Sequence, residues 1–339
     1  MINACELGME LGVCTRSVDL IAAEYAEVAS TAEKAGYSSM WVTEEIGRSG
    51  FSTLAYAAGR TGRITLGTAI VSIYSRTPLT MAMEAATLSE LSGGRFILGL
   101  GAGGLEFTTR GHGVAASKPV KRMEEYLSII RGYLSGCRVS FAGEFFNIKD
   151  MRLWVKTQHT PKIYVAALNE KMLQLAGKMA DGIILNMFSP KAMSFIRENV
   201  EKGASESGRR LEDLRLYSFV LSSASSSDDA LTELRRSVAF YCAAPTYRRI
   251  LNVMGYGDVA EEVDRLWRAG EREKAIKAIS EELVEAVSIV ADQEEETWEK
   301  LKQYTKNCVI PLLYPQPRRA VSKQDIITII ERCSNFLQI

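Results

Sequence analysis

Short apolar runs alternate along this chain with longer segments whose apolar residues recur every three or four positions. That rhythm leaves few folds open. A strand that is apolar at consecutive positions is buried on both faces, and helices must cover it. Residues 5–13 read as a first strand. Residues 19–35 follow as a helix whose inner face is Ile21, Tyr25, Val28, Ala29, Ala32 and Ala35, with Gly36 just past its end. A strand over 40–43, a short helix over 52–60 and a strand over 64–71 come next. Thr77-Pro78 opens a helix with an N-cap and a proline in its first turn, and Ser92-Gly93-Gly94 closes it before a strand over 96–101. After Pro161 the pattern resumes with a strand at 163–167, a helix at 169–180 and a strand at 182–187. Ser189-Pro190 launches a helix to about residue 202, a strand covers 214–221, and a last strand over 308–314 precedes a closing helix over 322–337.

Eight strand–helix units favour a closed (β/α)8 TIM barrel over an open doubly wound sheet. The length of 339 residues, with 47% hydrophobic and 24% charged, suits one such α/β domain spanning 1–339. Two stretches break the alternation. Residues 136–160, with Val139, Phe141, Phe145 and Phe146, read as an inserted hairpin, and the charged segment 227–306 reads as a helical excursion over the barrel mouth.

Charge and composition exclude several functions. With 41 Lys+Arg against 41 Asp+Glu, the chain offers no positive reservoir for nucleic acid or anionic lipid. No charge-free stretch reaches the roughly 18 residues of a membrane span, and no basic-then-apolar leader stands at the start, so the reading places the chain in the cytoplasm. The six cysteines are widely spread without a Cys-x-x-Cys pair and read as free thiols. His112 and His159 lie far apart, and no metal site is expected.

In a barrel of this kind chemistry gathers where strands end and βα loops begin. The candidate positions are Glu10, Glu44-Glu45, residues 72–76, Ala102-Gly103-Gly104 and Ala167-Leu168-Asn169. A carboxylate at a strand end needs a cavity or a partner. Glu10 is therefore either half of an ion pair, with Arg76 as one partner, or a general acid or stabiliser of a cationic substrate. Glu44 and Glu45 are adjacent, so at most one reaches the lumen. Gly99 to Gly104 matches G-x-G-x-x-G, yet residues 105–114 show no helical period and Glu124-Glu125 fall inside a helix, against a dinucleotide fold. These glycines either cradle an anion on backbone N–H groups or permit tight packing. Asn169, at a helix start, is a second anion candidate or an ordinary cap. Arg76 pairs with an acid or reaches a phosphate, and Trp41 and Trp154 border a ring pocket or lie in a core or interface.

Several runs resemble the bacterial luciferase-like superfamily of flavin monooxygenases and F420-dependent reductases. They are Thr61-Gly62-Arg63-Ile64-Thr65-Leu66-Gly67-Thr68-Ala69-Ile70, Arg76-Thr77-Pro78, Glu90 to Gly103, Lys118 to Tyr126 and Val165-Ala166-Ala167. The resemblance implies a (β/α)8 barrel with the cofactor in its mouth. It also implies an isoalloxazine-type ring against a bulge in the third strand at Ala69-Ile70, where many relatives hold a cis peptide. The phosphate-bearing tail would then lie on Ala102-Gly103 and on Ala167, Leu168 and Asn169. Gly8-Met9-Glu10-Leu11 resembles the start of methylenetetrahydromethanopterin reductases, which implies coenzyme F420, hydride transfer to a small electrophilic molecule, and catalytic roles for Glu10, Glu44 and Glu45. The chain departs from that pattern at Glu44-Glu45, where Asp-His is usual, and at Gly104, where an acidic residue is usual. The alternatives are an FMN-dependent monooxygenase and a non-catalytic flavin-binding barrel. Relatives also imply a homodimer or larger homo-oligomer.

Overall fold

The structure is a computed structural model describing residues 9–104, 107–316 and 321–337. Eight parallel strands follow one another around a closed sheet: β1 (Gly12–Thr15), β2 (Ser39–Val42), β3 (Thr65–Thr68), β4 (Phe96–Gly101), β5 (Lys162–Ala166), β6 (Gly182–Leu185), β7 (Arg215–Ser223) and β8 (Val309–Pro315). Pairing of Gly12 with Leu312 closes the ring. The covering helices are α1 (Ala22–Lys34), α2 (Gly50–Ala58), α3 (Pro78–Leu91), α4 (Pro119–Leu134), α5 (Glu170–Met179) and α6 (Met193–Ser205), with α13 (Lys323–Ser334) at the end. This is the (β/α)8 architecture that the apolar rhythm calls for.

Local chemistry sets the boundaries. The Thr77 hydroxyl accepts from the Thr80 N–H ahead of Pro78, and Ser322 with Asp325 forms a capping box at the start of α13. β1 corrects the reading of 5–13. Pairing begins only at Gly12, beside Ser39 and Leu312, so the strand ends at Thr15, five residues beyond Glu10; residues 5–8 lie outside the described residues. The third strand is interrupted at Ala69–Ile70, whose peptide is cis, and resumes as Val71–Ser72 against β4.

The hairpin is present as antiparallel strands Val139–Ala142 and Asn147–Met151. Between β7 and β8 lie α7 (Asp228–Cys242), α8 (Arg248–Val253), α9 (Gly257–Arg268), α10 (Arg272–Lys277), α11 (Glu281–Val287) and α12 (Glu294–Lys306). A short strand, Ser288–Val290, extends the upper half of β7.

Register partners in parallel strands point to the same face, and this defines the lumen. Trp41 is fully buried there, with ring centroids 5.1 Å from Tyr217 and 6.1 Å from Tyr164. Room for these rings comes from glycines: a Cβ on Gly67 would fall inside the Trp41 indole, and one on Gly182 would lie 2.7 Å from Tyr164 Cζ. The lower barrel is therefore a solid aromatic core, and Trp41 belongs to it, whereas Trp154 is 92% exposed. Cys14, Cys137, Cys242 and Cys333 are free thiols, but Cys308 is disulfide-bonded, contrary to the expectation of free thiols throughout. Among the described residues no helix is long and apolar enough to cross a membrane, and no cluster of His, Cys, Asp or Glu is placed to hold a metal.

Candidate active site in the barrel mouth

Above the aromatic core the two sides of the lumen differ. On the side of β3, β4 and β5 the inward positions are Ala69, Gly99, Gly101 and Ala166, with the Ile70 side chain lying over Gly101 and Ile184 Cδ1 beside Gly99. The break in β3 requires those glycines. The Thr68 hydroxyl donates to the Gly99 carbonyl at 3.0 Å and accepts its N–H at 2.9 Å, drawing the strands so close that a Cβ on Gly99 would overlap the Thr68 carbonyl. A Cβ on Gly101 would sit 2.8 Å from Ile70 Cδ1. Beyond the wall, Ser72 Oγ donates to the Ala102 carbonyl at 3.3 Å, and Gly103 turns the chain at φ +68°, in the left-handed region that favours glycine.

Next to this wall Ala167 and Leu168 are buried, and Asn169 is the N-cap of α5, with its carbonyl accepting from the Leu173 N–H at 2.9 Å. The first-turn amides of α5 have no acceptor within the helix and carry the positive end of its dipole. Glu170 in that turn pairs with Arg249 of α8 at 2.5 Å.

The three acidic candidates take separate positions. Glu10 lies at the opposite end of the barrel from the mouth, below the first residue of β1, and bonds Arg215 at the start of β7 at 2.5 Å. This corrects its placement beside the reacting ring: it is half of an ion pair, and the partner is Arg215 rather than Arg76. Glu44 turns outward at 13% side-chain exposure. It accepts the Gly50 N–H at the start of α2 at 2.8 Å and grips Arg76, which also bonds Glu84 through Nε at 2.6 Å and stacks on Phe51. Glu44 is thereby a brace between loops. Glu45 is the one that faces the mouth. Its N–H donates to Ser17 Oγ at 3.4 Å, and its charge reaches Cys14, Arg16, Tyr314 and Tyr247.

Opposite the small-residue wall the mouth is aromatic and polar. Phe219 and Tyr314 pack with centroids 4.8 Å apart, and Arg16 is buried against Asp19 at 2.6 Å. From the excursion come Tyr241 and Tyr247, edge to face at 5.0 Å, and Ser237, which donates to Gln316 at 2.7 Å. The Tyr247 hydroxyl meets Asn186, just past β6, at 3.1 Å. Burial foremost, with the charge of Glu45 as a lesser contribution, pushes the Tyr247 and Tyr314 phenols above their ordinary range. Arg16 escapes a sequence reading that misplaces the end of β1, and Asn186, Phe219 and Tyr314 lie within expected strands whose apolar runs do not mark them out. The excursion tyrosines carry no motif at all.

The family model for luciferase-like monooxygenases matches residues 9–309. A 5,10-methylenetetrahydromethanopterin reductase of Archaeoglobus fulgidus is 28% identical over 301 residues, covering 87% of this chain and 90% of its own. The coenzyme F420-dependent tetrahydromethanopterin reductase of Methanopyrus kandleri superimposes with a TM-score of 0.81 at 25% identity, covering 96% of this chain and 98% of its own. An F420-dependent secondary alcohol dehydrogenase, solved with an F420–acetone adduct, shares the fold at TM-score 0.78 and 18% identity, over 97% of this chain and 98% of its own. A match over nearly the whole barrel places this chain in the luciferase-like monooxygenase family and makes it an oxidoreductase.

Proposed function

We propose that this oxidoreductase uses coenzyme F420 and transfers hydride between the deazaflavin and a small electrophilic substrate of the methylenetetrahydromethanopterin kind. The observation that carries the reading is the strip of Ala69, Gly99, Gly101 and Ala166, small residues edged by Ile70 and Ile184, against which one face of a tricyclic ring would lie. The strip runs out at the Gly103 turn and at the first turn of α5. There Ala102, Gly103, Ala167, Leu168 and Asn169 would hold a phosphate-bearing tail on backbone N–H groups. When bound, the deazaflavin supplies or takes up the hydride. The aromatic side of the mouth excludes water and positions the acceptor, and Glu45 stabilises the positive charge of an imine-like substrate.

The same strip accepts an isoalloxazine ring, so FMN-dependent oxygenation is the second reading. Similarity to the F420-dependent tetrahydromethanopterin reductase along 96% of the chain favours the first. Titrating the purified protein with F420 and with FMN, followed by fluorescence, separates them. F420 is expected to bind at least about tenfold more tightly. Tight FMN binding without F420 binding replaces the first reading by the second.

A further inference from the structure

We infer that the helical excursion supplies a substrate-binding residue: the Tyr247 hydroxyl donates a hydrogen bond to a heteroatom beside the substrate carbon that exchanges hydride, and Asn186 orients it. This rests on the proposed hydride-transfer reading and adds to it the group that recognises the acceptor.

The geometry around Tyr247 fixes its direction. Ile184 shares register with lumen-facing Tyr217, so Asn186, two residues on, keeps the inward parity. The Met187 N–H, at a residue with φ +49°, bonds Asn186 Oδ1 at 2.8 Å, which leaves Nδ2 as the group facing Tyr247. Nδ2 can only donate, so the phenol oxygen accepts from Asn186 and its own proton points elsewhere.

That proton has the mouth in front of it. Asn186 follows β6 and Glu45 follows β2, strands on opposite sides of an eight-stranded ring, yet the phenol bonds the first and senses the charge of the second. Tyr247 therefore stands at the mouth, held by Asn186 just past the end of β6. It is also held from several sides. The Tyr241 ring braces it at 5.0 Å, the Arg249–Glu170 pair ties the following helix to the start of α5, and Ser189 Oγ contacts Met254 Sδ at 3.3 Å. A phenol fixed in advance costs little ordering entropy when it binds. Burial keeps it protonated, so it donates to the nitrogen lone pair, or to the oxyanion of a carbonyl acceptor, that forms as hydride arrives, and does not give up its proton. An acceptor of this class presents a carbonyl oxygen or an imine-type nitrogen to the mouth.

The test compares wild type with Tyr247→Phe, after matching their thermal midpoints, using tetrahydromethanopterin as an equilibrium probe of the F420-loaded protein. F420 affinity is expected to stay within about twofold. Affinity for the probe should fall about tenfold, and kcat/KM with methylenetetrahydromethanopterin about 10- to 100-fold. Asn186→Leu keeps the hydroxyl but frees its orientation, and should give an intermediate loss in probe affinity with F420 affinity again retained. Unchanged probe affinity in Tyr247→Phe overturns the inference, as does a loss of F420 affinity in that variant or a wild type that binds F420 but not the probe. A wild type that binds no F420 overturns the cofactor reading instead.

Discussion

Adjacent carboxylates at the end of β2 meet different electrostatic surroundings. Glu44 faces a guanidinium and a helix N-terminus, whereas Glu45 faces phenols and the open mouth. Glu45→Gln is expected to lower kcat/KM with methylenetetrahydromethanopterin about 10- to 100-fold at nearly unchanged F420 affinity. Glu10→Gln serves as the contrast. Its pair with Arg215 is 27% and 44% exposed, worth at most about 1 kcal/mol, and steady-state kinetics should find turnover within about twofold of wild type. Glu33 offers a pH prediction. Burial disfavours its charge, but N–H groups of Gly62, Arg63 and Ile64, the last two at 2.6 and 2.7 Å, outweigh burial and hold its carboxyl below the ordinary range. A depressed folded pKa contributes stability above the unfolded value near about 4.3 and loses it as pH falls through the folded value. Urea denaturation should therefore show Glu33→Gln about 1 kcal/mol less stable at neutral pH, with the gap closing in acid. That only one of Glu44 and Glu45 reaches the lumen follows from strand alternation. That Glu10 does not reach the mouth depends on where β8 and β2 begin to pair with β1, a long-range fact invisible within nine residues of apolar text.

At the scale of elements, the break in β3 and the glycines of β4 form one unit. A Cβ at position 99 would meet backbone, so Gly99→Ala is expected to cost about 2 to 4 kcal/mol in denaturant unfolding. At position 101 it would meet the mobile end of Ile70, so Gly101→Ala should fold near-normally while its fluorescence titration shows F420 bound about tenfold more weakly. β4 was legible to the residue because its apolar run is bounded by Gly94 before it and a glycine turn after it. The start of α3 was legible because Thr77-Pro78 is a local signal. The part of the mouth made by the excursion was not. Tyr247 reaches Asn186 across 61 positions of chain, and helical periodicity says which face is apolar but not which barrel end it covers.

Taken as one molecule, the barrel is filled at one end and open at the other. Trp41, Tyr164 and Tyr217 plug the lower lumen, and Trp41→Ala should destabilise the protein by about 3 to 5 kcal/mol, read by denaturant unfolding, because the surrounding strands cannot collapse onto the void. Above that plug the lumen is lopsided, with small residues edged by Ile70 and Ile184 along β3 to β5 and tyrosines across from them. This asymmetry is the basis for expecting a flat cofactor on one side and an acceptor on the other. A crystal structure of the protein soaked with F420 tests it most directly. The account predicts the tricyclic ring lying on Ala69–Ile70, Gly99, Gly101 and Ala166, with its phosphate at Gly103 and Asn169. A ring bound on the tyrosine side, or outside the mouth, would contradict it.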